Sequence, residues 1–367
     1  MRLIRLSNFD DLKLDNEIIT FPNTELLQWY ESVKRDLPWR ETKDPYKVWI
    51  SEIILQQTRV DQGLPYYERF ITAFPNVEDL ANANEDEVLK LWEGLGYYSR
   101  ARNLHFTAKL ISTDLSGSFP KTYKGLLELK GIGPYTAAAI GSICFDLPVA
   151  AVDGNVYRVL SRYSGITESI DETATKKQIT ELANAVLAEQ HTGNHNQAVM
   201  ELGATVCSPL NPSCTDCPLR INCEAFVGNL QSEIPVRSKK TKVRNRFFYY
   251  SVRICDDEVL ISRRGSGDIW QGLYEFPLME ADSRLDESEI IKSLNLNSTD
   301  VVLNISSEFK HILSHQHIFA KFVLIKSGNF EGSAFMKSKV SELKNFAFPR
   351  LINRYLEKQS LVIVEEV

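Results

Sequence analysis

Four of the six cysteines stand close together, at a spacing that allows their thiols to hold a metal. They follow the pattern C-x6-C-x2-C-x5-C and end in CPLRINC: Cys207, Cys214, Cys217 and Cys223. The charged N-terminus, MRLIRLSNFDDLKLDNEI, is not a signal peptide, so we expect a reducing compartment in which disulfides are rare. Four thiolates bind either zinc or an iron–sulfur cluster. The spacing does not decide between them, although a single tight loop suits a compact cubane.

Two carboxylates stand in contrasting sequence contexts. Glu52 lies in the apolar segment V-W-I-S-E-I-I-L, where burial would raise its pKa, as a general acid requires. It also shares a predicted helix face with Gln56 and Arg59, so a solvated polar stripe is the competing interpretation. Asp153 precedes Gly154 and a predicted helix start, which is typical of an N-cap.

A tight turn is predicted between two helices in LKGIGPYTAAAI (129–140). The first helix ends at Lys130, Gly131 and Gly133 allow left-handed or close-approach backbone, and Pro134 suits the next helix's first turn. Amides at such a hairpin and helix N-terminus form an anion site that binds a DNA phosphate without reading bases. An ordinary helix–helix turn has the same pattern, so this motif alone is weak support.

Helical periodicity dominates the first 230 residues and predicts an all-α domain of about ten short helices. The predicted helical segments are 24–34, 46–60, 85–96, 100–111, 121–145, 154–165, 175–189 and 195–207. Strand-like runs at 247–254, 258–264 and 317–325, with a helix over 286–294, predict a second, α+β domain.

Between the two predicted domains, residues 228–246 lack apolar periodicity and are basic. Their basic side chains are Arg237, Lys239, Lys240, Lys242, Arg244 and Arg246. We interpret the segment as an interdomain linker that either lies along phosphates or only keeps the chain soluble.

Composition and charge set the outer limits. The chain has 367 residues, 43% of them hydrophobic, which excludes wholesale disorder, and no apolar run is long enough to span a membrane. The net charge of −6, taken alone, argues against a nucleic-acid partner. Net charge does not report local charge, and we expect hairpin amides, the basic linker and three arginines to attract DNA: Arg100, Arg102 and Arg158.

Several of these features occur together in one known family. The GIG hairpin, Asp153 in a V-D-G-N-V context and the cysteine loop resemble the helix–hairpin–helix base-excision DNA glycosylases. The resemblance covers residues 22–227 and leaves residues 1–21 as an N-terminal extension. It implies an all-α glycosylase domain, double-stranded DNA as the partner, a monomer, and a 4Fe–4S cluster held by the four cysteines of the loop 207–223.

A second motif narrows the family. Ser51–Thr58 reads S-E-I-I-L-Q-Q-T and resembles the catalytic-glutamate segment of the MutY adenine DNA glycosylases. Tyr135 stands where the endonuclease III-like branch has a Schiff-base lysine, and a phenol cannot form an imine. The resemblance implies a cytoplasmic, nucleoid-associated bacterial enzyme that removes adenine paired with 8-oxoguanine or guanine and leaves an abasic site. The alternatives are a bifunctional endonuclease III-like lyase acting on oxidised pyrimidines, and a catalytically silent iron–sulfur protein that binds DNA.

The same resemblance implies roles for individual residues. Glu52 would protonate the leaving adenine, Asp153 would stabilise the cationic sugar, and Tyr135 would hydrogen-bond within this group. Gln57 and Tyr97 would fill the gap left by the flipped adenine, although Tyr97 could equally be a packing aromatic.

Further family positions would contact the base or the DNA. They are Trp39, Arg40, Gly131, Gly133, Asn155 and Gln197. Trp39 and Arg40 lie in a motif found near the adenine pocket, and a surface Trp–Arg stack is their bland interpretation. Gln197 matches an adenine contact but also suits an ordinary polar helix position.

The second domain carries its own motif. Residues 268–277, DIWQGLYEFP, resemble the W-x-G-L-W-E-F-P segment of the Nudix-like domain in MutY proteins, which here spans 247–367. The chain lacks the R-E-x-x-E-E box that holds Mg²⁺ in Nudix hydrolases, so we predict recognition without hydrolysis. Leu313-Ser314-His315 resembles the F-S-H loop, which implies that Ser314 and His315 read 8-oxoguanine. An incidental polar strand edge or a weak histidine metal site is the alternative.

Overall fold

The computed structural model describes residues 21–238, 243–330 and 333–359. The N-terminal extension up to residue 20 and three linker lysines, Lys239, Lys240 and Lys242, lie outside these residues. The described chain divides into two compact units. The first takes the described residues up to 43 together with 121–123 and 133–238, and the second takes 44–120, 124–132 and the described residues from 243 onward. The predicted domain boundaries stay a prediction.

Helices fill most of the described chain before residue 228. They are α1 (Asn23–Val33), α2 (Pro45–Ile54), α3 (Val60–Ala73), α4 (Val77–Asn82), α5 (Glu85–Leu91), α6 (Ser99–Asp114), α7 (Tyr123–Leu127), α8 (Pro134–Phe145), α9 (Gly154–Tyr163), α10 (Thr173–Ala185), α11 (Thr192–Thr205) and α12 (Glu224–Val227). Short 3₁₀ helices lie at Pro38–Arg40, Cys214–Asp216 and Arg220–Asn222. The all-α character predicted for this half is confirmed.

The predicted helix over 46–60 is wrong, because the segment forms the end of one helix and the start of another. α2 ends at Ile54 and α3 begins at Val60. Between them Gln57 has a φ of 58°, a left-handed conformation that interrupts a right-handed helix. The sequence pattern does not predict α3, because α3 contains Pro65 and proline usually breaks a helix when it lies in the interior.

The core of the first unit forms around α9 and α11. α11 packs against α1, α8 and α9, while α10 and α12 pack against α9. Leu26, Val159 and Leu202 are almost fully buried in this core. Phe21 joins it, with its ring 5.0 Å from that of Tyr163, so the last residue of the predicted extension is part of the fold.

The helices of the second unit pack around aromatic side chains. α2 lies against α3, and α6 lies against α4 and α5. Trp49 meets Phe119 edge to face at 5.5 Å, and Phe70 meets Trp92 in the same way at 5.6 Å. Edge-to-face pairs of this kind stabilise a core beyond their buried area.

The second unit also contains an eight-stranded mixed sheet. Its strands and helices are β1 (Arg244–Cys255), β2 (Glu258–Arg263), β3 (Tyr274–Glu275), β4 (Leu278–Ala281), α13 (Glu287–Ser293), β5 (Val301–Ile305), β6 (Phe309–Ile312), β7 (Gln316–Lys326), β8 (Met336–Lys339) and α14 (Arg350–Leu356). The main order is β3-β2-β1-β7-β5, with β1 and β7 parallel from Arg244↔Gln316 to Ile254↔Lys326. The predicted α+β class of this half is confirmed.

The start of the sheet lies earlier than the strand pattern predicts. β1 begins at Arg244, so Arg244 and Arg246 are strand residues. Arg246 is buried and paired with Asp268 and Glu280 at 2.7 and 2.6 Å, so it is not free to lie along phosphates. Among the described residues, no helix is both long and apolar enough to cross a membrane.

Candidate active site and DNA-contact residues

Glu52 lies in the last turn of α2, where its side chain is 8% exposed. Asp44 caps the start of this helix by accepting a hydrogen bond from the Tyr46 amide at 2.9 Å. The solvated-stripe interpretation is wrong, because α2 ends at Ile54 and Arg59 belongs to the start of the next helix. The helix therefore presents a buried glutamate in an otherwise apolar segment.

Arg100, at the start of α6, holds the end of α2 in place. Its guanidinium donates to five backbone carbonyls at 2.7–3.3 Å: Ile53, Ile54, Gln56, Leu95 and Gly96. It also lies 5.0 Å from the Trp92 ring and 5.8 Å from the Tyr97 ring. Burial lowers the pKa of Arg100 to about 10, which leaves it cationic at neutral pH.

Arg100, Arg102 and Arg158, the three arginines expected to attract DNA, are hydrogen-bonded within the protein, and their attraction for DNA stays a prediction. Arg102 donates to the carbonyl of Gln271, and Arg158 donates to the carbonyls of Cys207 and Gly203, both at 2.7 Å. All three arginines serve internal carbonyls. Composition does not reveal this difference, because an internal arginine and a phosphate-binding arginine have the same formal charge.

Tyr97 and Ser314 are both predicted to contact DNA, and their side chains lie together although they are 217 positions apart in the sequence. Tyr97 is 49% exposed and has a φ of 47°. Its hydroxyl donates to Ser314 Oγ at 3.5 Å, and Ser314 in turn contacts His315 Nδ1 at 3.2 Å. Ser314, His315 and Gln57 are all exposed, as residues that touch DNA must be.

The loop carrying Ser314 is a tight hairpin between β6 and β7. The Leu313 amide donates to the Gln316 carbonyl at 2.8 Å. The Leu313 side chain is partly buried and packs against the sheet core. His311 packs its ring against Trp270 at 5.6 Å. Within the described ranges no set of three or more His, Cys, Asp or Glu side chains is placed to hold a metal ion.

Asp153 is the N-cap of α9, as its position before Gly154 predicts. One carboxylate oxygen accepts from the amides of Asn155 and Val156, both at 2.9 Å, and the other accepts from the Asn155 side chain at 2.8 Å. Burial raises the pKa of Asp153, and these three donors oppose that rise by stabilising the anion. The Asp153 carboxylate therefore caps α9 and is also the group proposed to stabilise the cationic sugar.

The hairpin at 131–133 contains only one glycine that its conformation demands. Gly131 has a φ of 83°, and a Cβ there would meet Asn103 Cβ at 2.8 Å. Gly133 has an extended backbone, open space around its Cα, and caps α8. Tyr135, two residues later, is half-buried and donates its hydroxyl to Met200 Sδ at 3.3 Å.

The predicted base-contact residues belong to a buried polar cluster. Tyr30 donates its hydroxyl to Gln197 Oε1 at 2.6 Å. Arg40 pairs with Glu201 at 2.6 Å. Trp39 is 7% exposed, so the surface Trp–Arg stack is wrong for this pair.

Glu201 anchors that cluster and was missed from the sequence. Burial by itself would raise the pKa of Glu201, but hydrogen bonds from Arg35 and Arg40 hold it at about 2. The available signal was a glutamate in the apolar segment A-V-M-E-L-G of α11. A buried carboxylate of this kind needs a cationic partner, which the sequence does not locate.

The four clustered cysteines line one cavity beneath α9. Val159, Arg162 and Leu219 are among the other residues that line it. Burial raises the pKa of Cys217 to about 12 and also raises the pKa of Cys214 and Cys223. All four cysteines line the same cavity, and their donor chemistry suits a cofactor that takes four thiolate ligands. Within the described residues, however, no three of these side chains are arranged in metal-binding geometry.

The chain is similar to known proteins along most of its length. The family described as "HhH-GPD superfamily base excision DNA repair protein" matches residues 50–185, and a NUDIX domain matches residues 249–358. The chain is 36% identical to the adenine DNA glycosylase of Buchnera aphidicola subsp. Baizongia pistaciae, over 80% of this chain and 83% of that protein. It belongs to the adenine DNA glycosylase family. The predicted family is thereby confirmed.

Two further comparisons each cover about half of the chain. The human adenine DNA glycosylase is 44% identical over 54% of this chain and 38% of its own length. A solved thermostable thymine-DNA glycosylase is 29% identical with a TM-score of 0.51, covering 56% of this chain and 95% of that one.

In this member of the adenine DNA glycosylase family, Arg162 is another buried residue that the sequence analysis did not single out. It is 3% exposed and donates to Cys207 Sγ at 3.4 Å. Its other acceptors are the carbonyls of Ser208, Pro209, Gln231 and Ile234. Arg162 therefore ties α9 to the start of the cysteine loop and to the segment that follows the loop.

Proposed function

We propose that this chain excises adenine from duplex DNA where adenine pairs with 8-oxoguanine or guanine, and that it leaves an abasic site. The observation that carries the proposal is Glu52, an 8%-exposed glutamate in the last turn of α2, within S-E-I-I-L-Q-Q-T. Membership of the adenine DNA glycosylase family supplies the reaction class. The glycosidic bond of adenine resists hydrolysis at neutral pH, so a buried acid is the group the reaction most needs.

The reaction divides between two carboxyl groups. Glu52 donates a proton to a ring nitrogen of adenine, and the electrons of the C1′–N9 bond leave with the base. The Asp153 carboxylate stabilises the positive charge on the sugar. Water then adds to C1′ and gives its proton to the Glu52 carboxylate, which restores the starting state.

Monofunctional hydrolysis is proposed because Tyr135 provides no amine. The lyase alternative needs a lysine that attacks C1′, and the Tyr135 hydroxyl instead donates to Met200 Sδ. Borohydride reduction in the presence of damaged duplex should trap no covalent adduct. A trapped adduct would favour the lyase.

Recognition of adenine and of the backbone falls to residues of the first unit. The Tyr30 hydroxyl donates to Gln197 Oε1, which leaves the Gln197 NH₂ group as the donor proposed for the base. Gly133 presents open space at the N-terminus of α8, which suits a DNA phosphate. Trp39, Arg40 and Asn155 of this unit, and Gly131 of the second unit, are further residues that would contact the base or the DNA.

We assign the reading of 8-oxoguanine to Ser314 and His315, next to Tyr97. Both side chains are exposed on the β6–β7 hairpin, and Ser314 both donates and accepts, which suits the altered purine edge. We do not expect the Nudix-like domain to act as a Nudix hydrolase, because its acidic side chains Asp268 and Glu280 form salt bridges with Arg246.

Ser314→Ala tests that assignment. The ratio of excision rates opposite 8-oxoguanine and opposite guanine should fall by about fivefold, the effect of one lost hydrogen bond. Ser288→Ala, at an exposed serine in α13 of the same sheet domain, is the matched control and should leave the ratio unchanged. An unchanged ratio in Ser314→Ala would remove Ser314 from the reading loop.

We also propose that Cys207, Cys214, Cys217 and Cys223 hold a 4Fe–4S cluster. The cluster, when bound, supplies a covalent crosslink that fixes the loop after α11. Purified protein should contain iron and acid-labile sulfide in equal amounts, and Cys217→Ser should lower both. A colourless protein that contains zinc would overturn the assignment.

The whole proposal is tested with duplexes that differ in one base pair. Adenine is placed opposite 8-oxoguanine, guanine or thymine, and alkali reveals abasic sites after single-turnover reaction. We expect cleavage of the first two duplexes and none of the third. Release of an oxidised pyrimidine in place of adenine would sink the proposal.

A further inference from the structure

Arg100 contacts two functional segments at once. Three of its five acceptors are carbonyls at the end of α2, directly after Glu52: Ile53, Ile54 and Gln56. The other two, Leu95 and Gly96, precede Tyr97. The same guanidinium therefore fixes the backbone of the proposed acid and the backbone of a proposed lesion contact.

The side of Arg100 away from α2 is equally constrained. Its guanidinium stacks near the rings of Trp92 and Tyr97, and Trp92 Nε1 donates to the Gly96 carbonyl at 3.0 Å. A displacement of Tyr97 thus moves atoms that contact the guanidinium. Tyr97 in turn donates to Ser314 Oγ.

The sheet is held against these helices at other points, so the Tyr97–Ser314 contact is not isolated. Tyr274 contacts Asp86 through its hydroxyl at 3.0 Å, and Lys90 donates to the Phe346 carbonyl at 2.9 Å. The Tyr97–Ser314 contact is therefore one of several hydrogen bonds that join the sheet to these helices.

We infer that Arg100 is a positioning residue that transmits the contact of Tyr97 and Ser314 with the lesion to the helix carrying Glu52. The inference rests on the proposed function and adds to it a reason why the opposite base affects adenine release. Arginine is needed because a lysine ammonium has three donors and no planar face, so it cannot serve five carbonyls and stack on two rings.

A double-mutant cycle of Arg100→Lys and Tyr97→Phe tests the inference. Alone, Arg100→Lys should slow single-turnover excision opposite 8-oxoguanine about fivefold more than opposite guanine. In the Tyr97→Phe background, where the hydroxyl that reaches Ser314 is gone, that extra loss should vanish. Arg69→Lys, at an exposed arginine stacked 4.3 Å from Tyr66, is the matched control and should change neither rate.

Equal slowing on both duplexes, or additive effects in the cycle, would overturn the inference and leave the proposed function standing. If the unsubstituted chain releases no adenine, the proposed function fails first.

A second measurement avoids Arg100 variants, which lose buried contacts. Hydrogen exchange of amides 52–57 should be slower in complex with a non-cleavable adenine analogue opposite 8-oxoguanine than opposite guanine. Tyr97→Phe should abolish that difference. Equal exchange in the two complexes of the unsubstituted protein would contradict the inference.

Discussion

The two proposed catalytic carboxyl groups lie at opposite ends of their helices. Asp153 precedes α9, where three N–H donors and the positive end of the helix dipole favour its anion. Glu52 lies in the last turn of α2, surrounded by buried apolar positions, with the carbonyls beyond it taken up by Arg100. The difference shows how one residue chemistry acquires two roles from its place along a helix.

Glu52→Gln is the strongest way to break this comparison. It keeps the shape of the side chain and removes the proton, so adenine excision should fall by about 10²- to 10⁴-fold in single turnover. DNA affinity should be retained. Glu68→Gln, at an exposed position on α3, is the control. Normal excision by Glu52→Gln would assign the acid elsewhere.

Asp153→Asn separates the two uses of the other carboxylate. Asparagine caps a helix about as well as aspartate, so the melting temperature should stay close to that of the parent. The anion is lost, and excision should fall by about 10²- to 10³-fold. Retained excision with unchanged stability would reduce Asp153 to a cap.

Asn155→Ala tests, through the pH dependence of activity, how the hydrogen bond from Asn155 keeps Asp153 ionised. Its side-chain donor lowers the pKa of Asp153, so its removal should raise that pKa further. Because Asp153 must be ionised, activity is lost as pH falls through its pKa, and the acid limb of the pH–rate profile should move to higher pH. Asn184→Ala, at an exposed asparagine of α10, should leave the profile in place. The same profile in both variants would contradict this coupling.

Asp44→Ala should have the smallest effect on activity. Asp44 caps α2 as Asp153 caps α9, but it has no proposed contact with substrate. We expect a loss of about 1 kcal/mol in the free energy of unfolding. The single-turnover rate at a temperature well below melting should change little. A large loss of rate would show that losing a helix cap is by itself enough to slow excision.

Local patterns predicted much of the fold. The N-cap at Asp153, the turn at Gly131 and the long strands β1 and β7 follow from residue types that favour those structures. The short strands β3 to β6 were not predictable, because two to five residues carry too little alternation.

Partners distant in sequence were the part that could not be predicted. Nothing in the sequence around Glu201 indicates that its carboxylate pairs with Arg35 and Arg40, which lie more than 160 positions earlier in the chain. Likewise the meeting of Tyr97 and Ser314 follows from tertiary packing and from no pattern near either residue.

The contacts of α9 set a condition for any redesign of this glycosylase. Arg158 bridges Asn155, which holds Asp153, and the carbonyl of Cys207 in the cysteine loop. An engineer who deletes the cysteine loop to obtain a metal-free variant would also remove the Cys207 carbonyl, one of the acceptors that hold Arg158, whereas replacing only the cysteine side chains would keep it. The deletion variant needs a new loop that places a carbonyl against the Arg158 guanidinium. Its success is judged by whether Asp153 keeps its hydrogen bond from Asn155.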